Sequence, residues 1–352
     1  MKQHFTRIIL EWHKEIDRYL PWKESNNPYK VWLSEVILQQ TRVEQGMPYY
    51  LAFVNDFPDV HALANASEDE VLRLWKGLGY YTRARNLHKT AKYVSKELNG
   101  EFPNSLEALK NLKGIGDYTA AAIASFAFKQ PHAVVDGNVF RVLSRYFLVD
   151  LPIDSTEGKK YFKELANELI TQDKPDKYNQ AIMDFGALQC VPRNPDCQSC
   201  PLNELCVAFK LDLIGTLPVK AKKIKHRSRY FHFIVIKDKS ELFLMKRTDR
   251  DIWQSLYQFP MIEKERPLSQ NELMSSDEWV NIFGANAQLV LRLGGEYKQT
   301  LTHQKINAIF FEVEPSTEIS QKEDWIKINS QILDNFAFPK VIDWYLSENP
   351  LY

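Results

Sequence analysis

The 352-residue chain is 44% hydrophobic and 26% charged, the composition of a soluble globular protein long enough for two domains with separate cores. No apolar run reaches the roughly 18–20 residues of a membrane helix, and Met1-Lys2-Gln3-His4 lacks the order of a secretory signal, so a cytoplasmic protein is expected. The formal net charge is zero, yet residues 1–229 carry 32 Lys+Arg against 27 Asp+Glu, and residues 230–352 carry 13 against 18. A weakly basic front and an acidic back fit a nucleic-acid-binding domain joined to a different one.

In chain order, Phe5, Ile8, Ile9, Trp12, Ile16 and Tyr19 recur at helical spacing, and Pro21 ends the run. Trp32-Leu33-Ser34-Glu35-Val36-Ile37-Leu38-Gln39-Gln40-Thr41-Arg42-Val43 sets an acid among apolar residues; read locally, Glu35 is a surface helix acid. Ser67 with Glu70 forms a capping-box signature ahead of Val71, Leu72 and Leu74, and Gly77-Leu78-Gly79-Tyr80-Tyr81-Thr82-Arg83-Ala84-Arg85 follows. Leu112-Lys113-Gly114-Ile115-Gly116-Asp117-Tyr118-Thr119-Ala120 joins two helices through a tight turn. Its glycines permit close backbone approach, and the next helix opens with N–H groups suited to a phosphate. Asp136, before Gly137 and Asn138, stands where an ordinary N-capping acid would. Stripes at Tyr161, Phe162, Leu165, Ala166 and Leu169, then at Tyr178, Ala181, Ile182 and Phe185, complete a region expected to be all-α.

All four cysteines lie in one 17-residue loop, Cys190-x6-Cys197-x2-Cys200-x5-Cys206. Thiolate-only ligation there suits zinc and a [4Fe–4S] cluster equally well. Between residues 213 and 237 no acid occurs, while Lys220, Lys222, Lys223, Lys225, Arg227 and Arg229 crowd together, a linker composition that also suits a phosphate backbone. Beyond it, residues 230–236, 242–245, 289–293 and 308–313 read as strands, and residues 339–346 as a closing helix. The expected organisation is an α-helical domain over 1–212, a basic linker over 213–229 and an α+β domain over 230–352.

The cysteine spacing resembles the cluster loop of the endonuclease III superfamily of DNA glycosylases. The hairpin followed by Asp136 is similar to that superfamily's helix–hairpin–helix and catalytic aspartate. The resemblance implies a [4Fe–4S] cluster on Cys190, Cys197, Cys200 and Cys206 with a role outside base excision. It also implies DNA contacts at Gly114 and Gly116, with a cation held by hairpin carbonyls. The Glu35 and Gly77–Arg85 segments resemble the adenine-glycosylase branch. There Glu35 would protonate adenine N7, and Asp136 would stabilise the cationic sugar as the second carboxylate of a sugar hydrolase does. Tyr118 would bond to Asp136 and Asn138 would orient water. The lysine nucleophile of the bifunctional branch is replaced by Tyr118, so lyase activity is not expected.

By the same resemblance Gln40, Thr41, Leu78 and Tyr80 would fill the stack and contact 8-oxoguanine, and Trp22 and Leu38 would line the adenine pocket. The C-terminal part resembles the pyrophosphohydrolase-like (Nudix-like) recognition domain through Trp253-Gln254-Ser255-Leu256-Tyr257-Gln258-Phe259-Pro260. Its acids between Glu263 and Glu278 lack the spacing of a metal-binding catalytic helix, so a binding module is expected. Thr302 and His303 fall on the loop that distinguishes 8-oxoguanine from guanine, with Leu301 where the family has an aromatic. The expected substrate is double-stranded DNA with adenine opposite 8-oxoguanine or guanine, acted on by a monomer. The rivals are a glycosylase of another specificity and a catalytically silent iron–sulfur DNA-binding protein, with an active nucleotide hydrolase behind them.

Overall fold

The computed structural model of the chain describes residues 2–351 except 17, 24, 222–225, 285–288 and 316–321. Lys222, Lys223 and Lys225 of the basic run lie outside the described residues. The chain divides into two compact units, Met1–Asn65 with Asn86–Lys222, and Ala66–Arg85 with Lys223–Tyr352.

The first unit is helical, with no strand among its described residues. Its core joins Phe5 and Ile9 of helix Lys2–Lys14 to Val139, Val142, Leu143 and Tyr146 of helix Gly137–Phe147. Phe162 and Leu165 of helix Thr156–Leu169 and Tyr178, Ile182 and Phe185 of helix Pro175–Leu188 complete it. Burying one side chain of this size is worth about 1.5–3 kcal/mol. The first helix ends at Lys14, short of Ile16 and Tyr19 on the expected stripe. The backbone turns there through i→i+3 bonds from Glu15 and Ile16, and Tyr19 stays exposed.

Two helices position the chemistry. In helix Pro28–Leu38, Asn27 caps the N–H groups of Tyr29 and Lys30, and Pro28 opens the first turn. This helix is apolar nearly all round and buries its length from Val31 to Ile37, as such a helix must. Glu35 is carried inside with it. Helix Asp117–Phe126, whose small residues Ala120, Ala121, Ala122 and Ala124 are all buried, packs against it.

The second unit is a mixed sheet of seven strands, β1 (Arg227–Asp238), β2 (Glu241–Lys246), β3 (Tyr257–Gln258), β4 (Met261–Lys264), β5 (Leu289–Thr300), β6 (Gln304–Pro315) and β7 (Trp325–Asn329). The order is β3-β2-β1-β6-β5, with β4 paired to β1 and β7 to β2; β1 and β6 run parallel. Phe231, Phe233, Ile234, Val235 and Ile236 of β1 are all fully buried, because both faces of the sheet are covered. Ile234, Ile236, Phe311 and Val313 meet Leu273 and Trp279 on one face. Phe310 stacks on Tyr345 of helix Lys340–Glu348 at 4.2 Å.

Residues 66–85 belong to this second unit although they precede its sheet by more than a hundred residues. Asp69, in the helix capped by the Ser67–Glu70 box, accepts from Lys246 Nζ at 2.6 Å and from the Tyr257 hydroxyl at 2.9 Å. Arg85 Nη1 donates to Gln254 O at 2.6 Å, and Lys76 pairs with Asp343 at 2.9 Å.

Candidate active site

Glu35 and Asp136 line one cleft of about 570 Å³ in the first unit, together with Trp22, Leu38, Thr41, Tyr118 and Asn138. Glu35 is 7% exposed. Burial pushes its carboxyl up to about 7; a hydrogen bond from Tyr118 pulls it down and the nearby Asp136 charge pushes it up. Asp136 caps helix Gly137–Phe147: one carboxylate oxygen accepts the Val139 N–H at 2.8 Å, the other the Asn138 Nδ2 at 2.8 Å. Its pKa is also raised by burial, with these bonds opposing the rise. Asp136 thus caps a helix and lines the cleft at once.

One expectation requires correction. Tyr118 donates its hydrogen bond to Glu35 and not to Asp136, which accepts from Val139 and Asn138. Asn138 donates from Nδ2 to Asp136 and accepts at Oδ1 from Arg141 Nη2 at 2.9 Å, one bond at each end of its amide. Arg141 also donates through Nε to the Cys190 carbonyl at 2.7 Å and through Nη2 to Gly186 O. A continuous polar chain, Asp136–Asn138–Arg141–Cys190, therefore runs from the cleft to the cysteine loop. Gly186 allows it, since a Cβ there would stand 2.7 Å from the Asn138 Cβ.

A charged cluster on the same cleft was missed. Asp184 is 1% exposed and accepts from Lys23 Nζ at 2.6 Å and Arg18 Nη1 at 2.7 Å, with His13 Nε2 at 2.9 Å. Burial alone would raise its pKa; the bonds from His13, Lys23 and Arg18 outweigh it and hold the carboxyl at about 2. The signal was present in the sequence, since Asp184 lies between Ile182 and Phe185 on a stripe expected to be buried.

In the hairpin, Gly114 adopts φ +79°, and a Cβ there would meet Asn86 at 2.7 Å. Gly116 is the N-cap of helix Asp117–Phe126 and is open to approach. Three hairpin carbonyls are already engaged, Lys113 O by Thr90 Oγ1 at 2.6 Å, Leu112 O by the Ile115 N–H and Gly116 O by the Ala120 N–H. Gln40 is exposed with φ +55°, and Thr41 follows it at the cleft wall.

Cys190, Cys197, Cys200 and Cys206 converge on a single small cavity. Burial, and then their mutual proximity, raises the thiols of Cys197, Cys200 and Cys206, that of Cys200 to about 12. The cavity brings four sulfurs together, with Gln189, Asp196 and Asn203 also on its lining, and a four-thiolate set is one that an iron–sulfur centre uses.

In the second unit, Tyr80 is half-exposed with φ +49°, and its hydroxyl lies 2.9 Å from Thr302 Oγ1 in the turn between β5 and β6. Arg83 lies over the Tyr80 ring and donates to the carbonyls of Leu78 and Gly79. Leu78 is buried, whereas His303 is exposed. Three acids of this unit have basic partners: Glu263 pairs with Arg229, Glu272 with Arg266, and Glu278 with Lys264.

Comparison with known proteins bears on this arrangement. A family model described as HhH-GPD superfamily base excision DNA repair protein matches residues 33–172. A NUDIX domain model matches residues 231–348, and a model of the iron–sulfur binding domain of endonuclease III matches residues 190–206. The adenine DNA glycosylase of Buchnera aphidicola subsp. Baizongia pistaciae is 36% identical over 338 residues, 93% of this chain and 92% of its own. This chain belongs to the adenine DNA glycosylase family. The family's Homo sapiens member is 42% identical over 213 residues, 58% of this chain and 39% of the human one. A thermostable thymine-DNA glycosylase superposes with a TM-score of 0.56 at 29% identity, over 60% of this chain and 97% of its own. The fold expected from sequence, a helical glycosylase domain with an iron–sulfur loop followed by an α+β NUDIX-like domain, is the one observed. Among the described residues no helix is long and apolar enough to cross a membrane.

Proposed function

We propose that this family member hydrolyses the N-glycosidic bond of adenine mispaired with 8-oxoguanine or guanine in double-stranded DNA. The observation that carries this reading is the pairing of Glu35 and Asp136 in one cleft with opposed requirements. Adenine leaves poorly as an anion, so a proton at N7 must come from an acid still protonated near neutrality; burial gives Glu35 that character. The sugar left behind is cationic at C1′, and Asp136, stripped of bulk water and steered by Val139 and Asn138, offers the carboxylate that stabilises it. Tyr118, bonded to Glu35, orients the acid. No lysine stands at Tyr118, which supports hydrolysis without strand cleavage.

Access requires the adenine to leave the stack, a cost of a few kcal/mol met by filling the gap and reading the widowed base. Gln40, Thr41, Leu78 and Tyr80, with Thr302 and His303, are the residues we assign to that task. Trp22 and Leu38 wall the adenine pocket. Gly114 and Gly116 offer backbone N–H groups to a phosphate, with a cation on the remaining hairpin carbonyls. Cys190, Cys197, Cys200 and Cys206 would hold a [4Fe–4S] cluster, which supplies a rigid, redox-capable anchor for the loop. The protein acts as a monomer in this reading.

Single-turnover cleavage of duplexes with adenine opposite 8-oxoguanine, guanine or thymine tests it. Strand breaks only after hot alkali, and only in the first two duplexes, are expected. Release from none of them by iron-loaded protein would return a binding role to the front, and breaks without alkali would overturn the monofunctional assignment.

A further inference from the structure

Arg145 occupies the last turn of helix Gly137–Phe147, is 2% exposed, and lines the same cavity as the four cysteines. Its Nη1 donates to Cys190 Sγ at 3.4 Å and to Val191 O at 2.8 Å. Nη2 donates to Pro192 O at 3.0 Å, and Nε to Leu217 O at 3.3 Å. These described acceptors are one sulfur and three neutral carbonyls; none is a carboxylate. Asp184 shows the contrast, a buried charge ringed by opposite charges.

A fully buried guanidinium is an expensive group unless an anion faces it. Arg141 is a second cation on the same side, and the two oppose each other. Four thiolates around an iron–sulfur core carry net negative charge, and Arg145 meets that charge at Cys190. We propose that Arg145 is the built-in counter-charge of the cluster, setting its reduction potential and its hold on iron. The inference rests on the iron–sulfur reading of the loop.

The sign follows from electrostatics. Reduction adds negative charge beside the guanidinium, so the cation and its N–H···S bond favour the electron-richer cluster and raise the potential. Without the cation, the cluster gives an electron to ferricyanide more readily, forming ferrocyanide and an oxidised cluster that sheds iron.

The test uses full-length holoprotein, normalised by iron content, as wild type, Arg145→Gln and Arg145→Lys. Voltammetry should place Arg145→Gln at a lower potential than wild type. Its iron should pass to a chelator after ferricyanide on the order of 10–100-fold faster. Arg145→Lys, which keeps the charge without the planar fork, should stay close to the wild-type potential. Equal potentials in wild type and Arg145→Gln would overturn the proposal, as would Arg145→Lys falling as far as Arg145→Gln. If Arg145→Gln retains no iron, the potential of Arg145→Lys decides: unchanged supports the counter-charge, displaced refutes it. Wild-type protein that purifies with zinc and no iron–sulfur absorption would overturn the loop reading itself, a result distinct from the others.

Discussion

The hydroxyls of Tyr80 and Thr302 lie 2.9 Å apart although 222 positions separate them in the chain. One belongs to the stretch matched by the glycosylase family model, the other to the stretch matched by the NUDIX model. Both residues fall in one compact unit, so the hydrogen bond is internal to a single folded body.

This bond holds Tyr80, whose φ of +49° is a strained setting for an aromatic residue, in a fixed pose. Thr302→Val should therefore reduce the preference for 8-oxoguanine over guanine by about 3–10-fold, the value of one hydrogen bond near 1 kcal/mol. Tyr80→Phe should do the same, and the double variant should lose no more than either alone. Additive losses in single-turnover selectivity would mean that the two residues act separately.

The excision rate should be bell-shaped in pH. In the proposed mechanism Glu35 is the acid, so the rate should fall as pH rises through about 7. Asp136 is proposed to act as an anion, so the rate should fall again on the acidic side, below a pKa that burial has raised. Glu35→Gln should abolish the alkaline limb together with nearly all activity; a retained limb at about 7 would assign it to another group.

Glu35 also carries a stability cost. Its folded-state pKa is raised from 4.5 to about 7, so the folded state binds more protons in that window and stability falls as pH rises through it. Above pH 7 the cost is on the order of 3 kcal/mol. Glu35→Gln should accordingly raise Tm at pH 8 and leave it nearly unchanged at pH 4; an equal shift at both values would point to packing instead.

Gly186→Ala tests the link from the cleft to the cysteine loop. The new Cβ would meet the Asn138 Cβ at 2.7 Å and its carbonyl oxygen at 2.9 Å, and backbone cannot yield as a flexible side chain does. A loss of about 1–3 kcal/mol from overpacking is expected. Moving Asn138 withdraws its bond from Asp136, so the excision rate should drop beyond what unfolding explains. Full activity in the folded fraction would show that Asn138 is not the support of Asp136.

Much of the site was legible before any coordinates. Four cysteines in 17 residues, a two-glycine hairpin and an aspartate at a helix start are local patterns whose chemistry depends on spacing along the chain, and spacing is what a sequence records. The burial of Glu35 was less legible: read locally it is a surface helix acid, and it is the structure that buries its helix from Val31 to Ile37 and carries it inside. Partners were not legible. That Tyr118 bonds to Glu35 and Asn138 to Arg141, that Asp184 gathers His13, Arg18 and Lys23, and that residues 66–85 pack with the sheet that follows Lys223 depend on contacts between distant segments. Local propensity and hydrophobic period set which elements form; which side chain ends beside which is decided by packing, where burial makes each unpaired polar group too costly to leave alone.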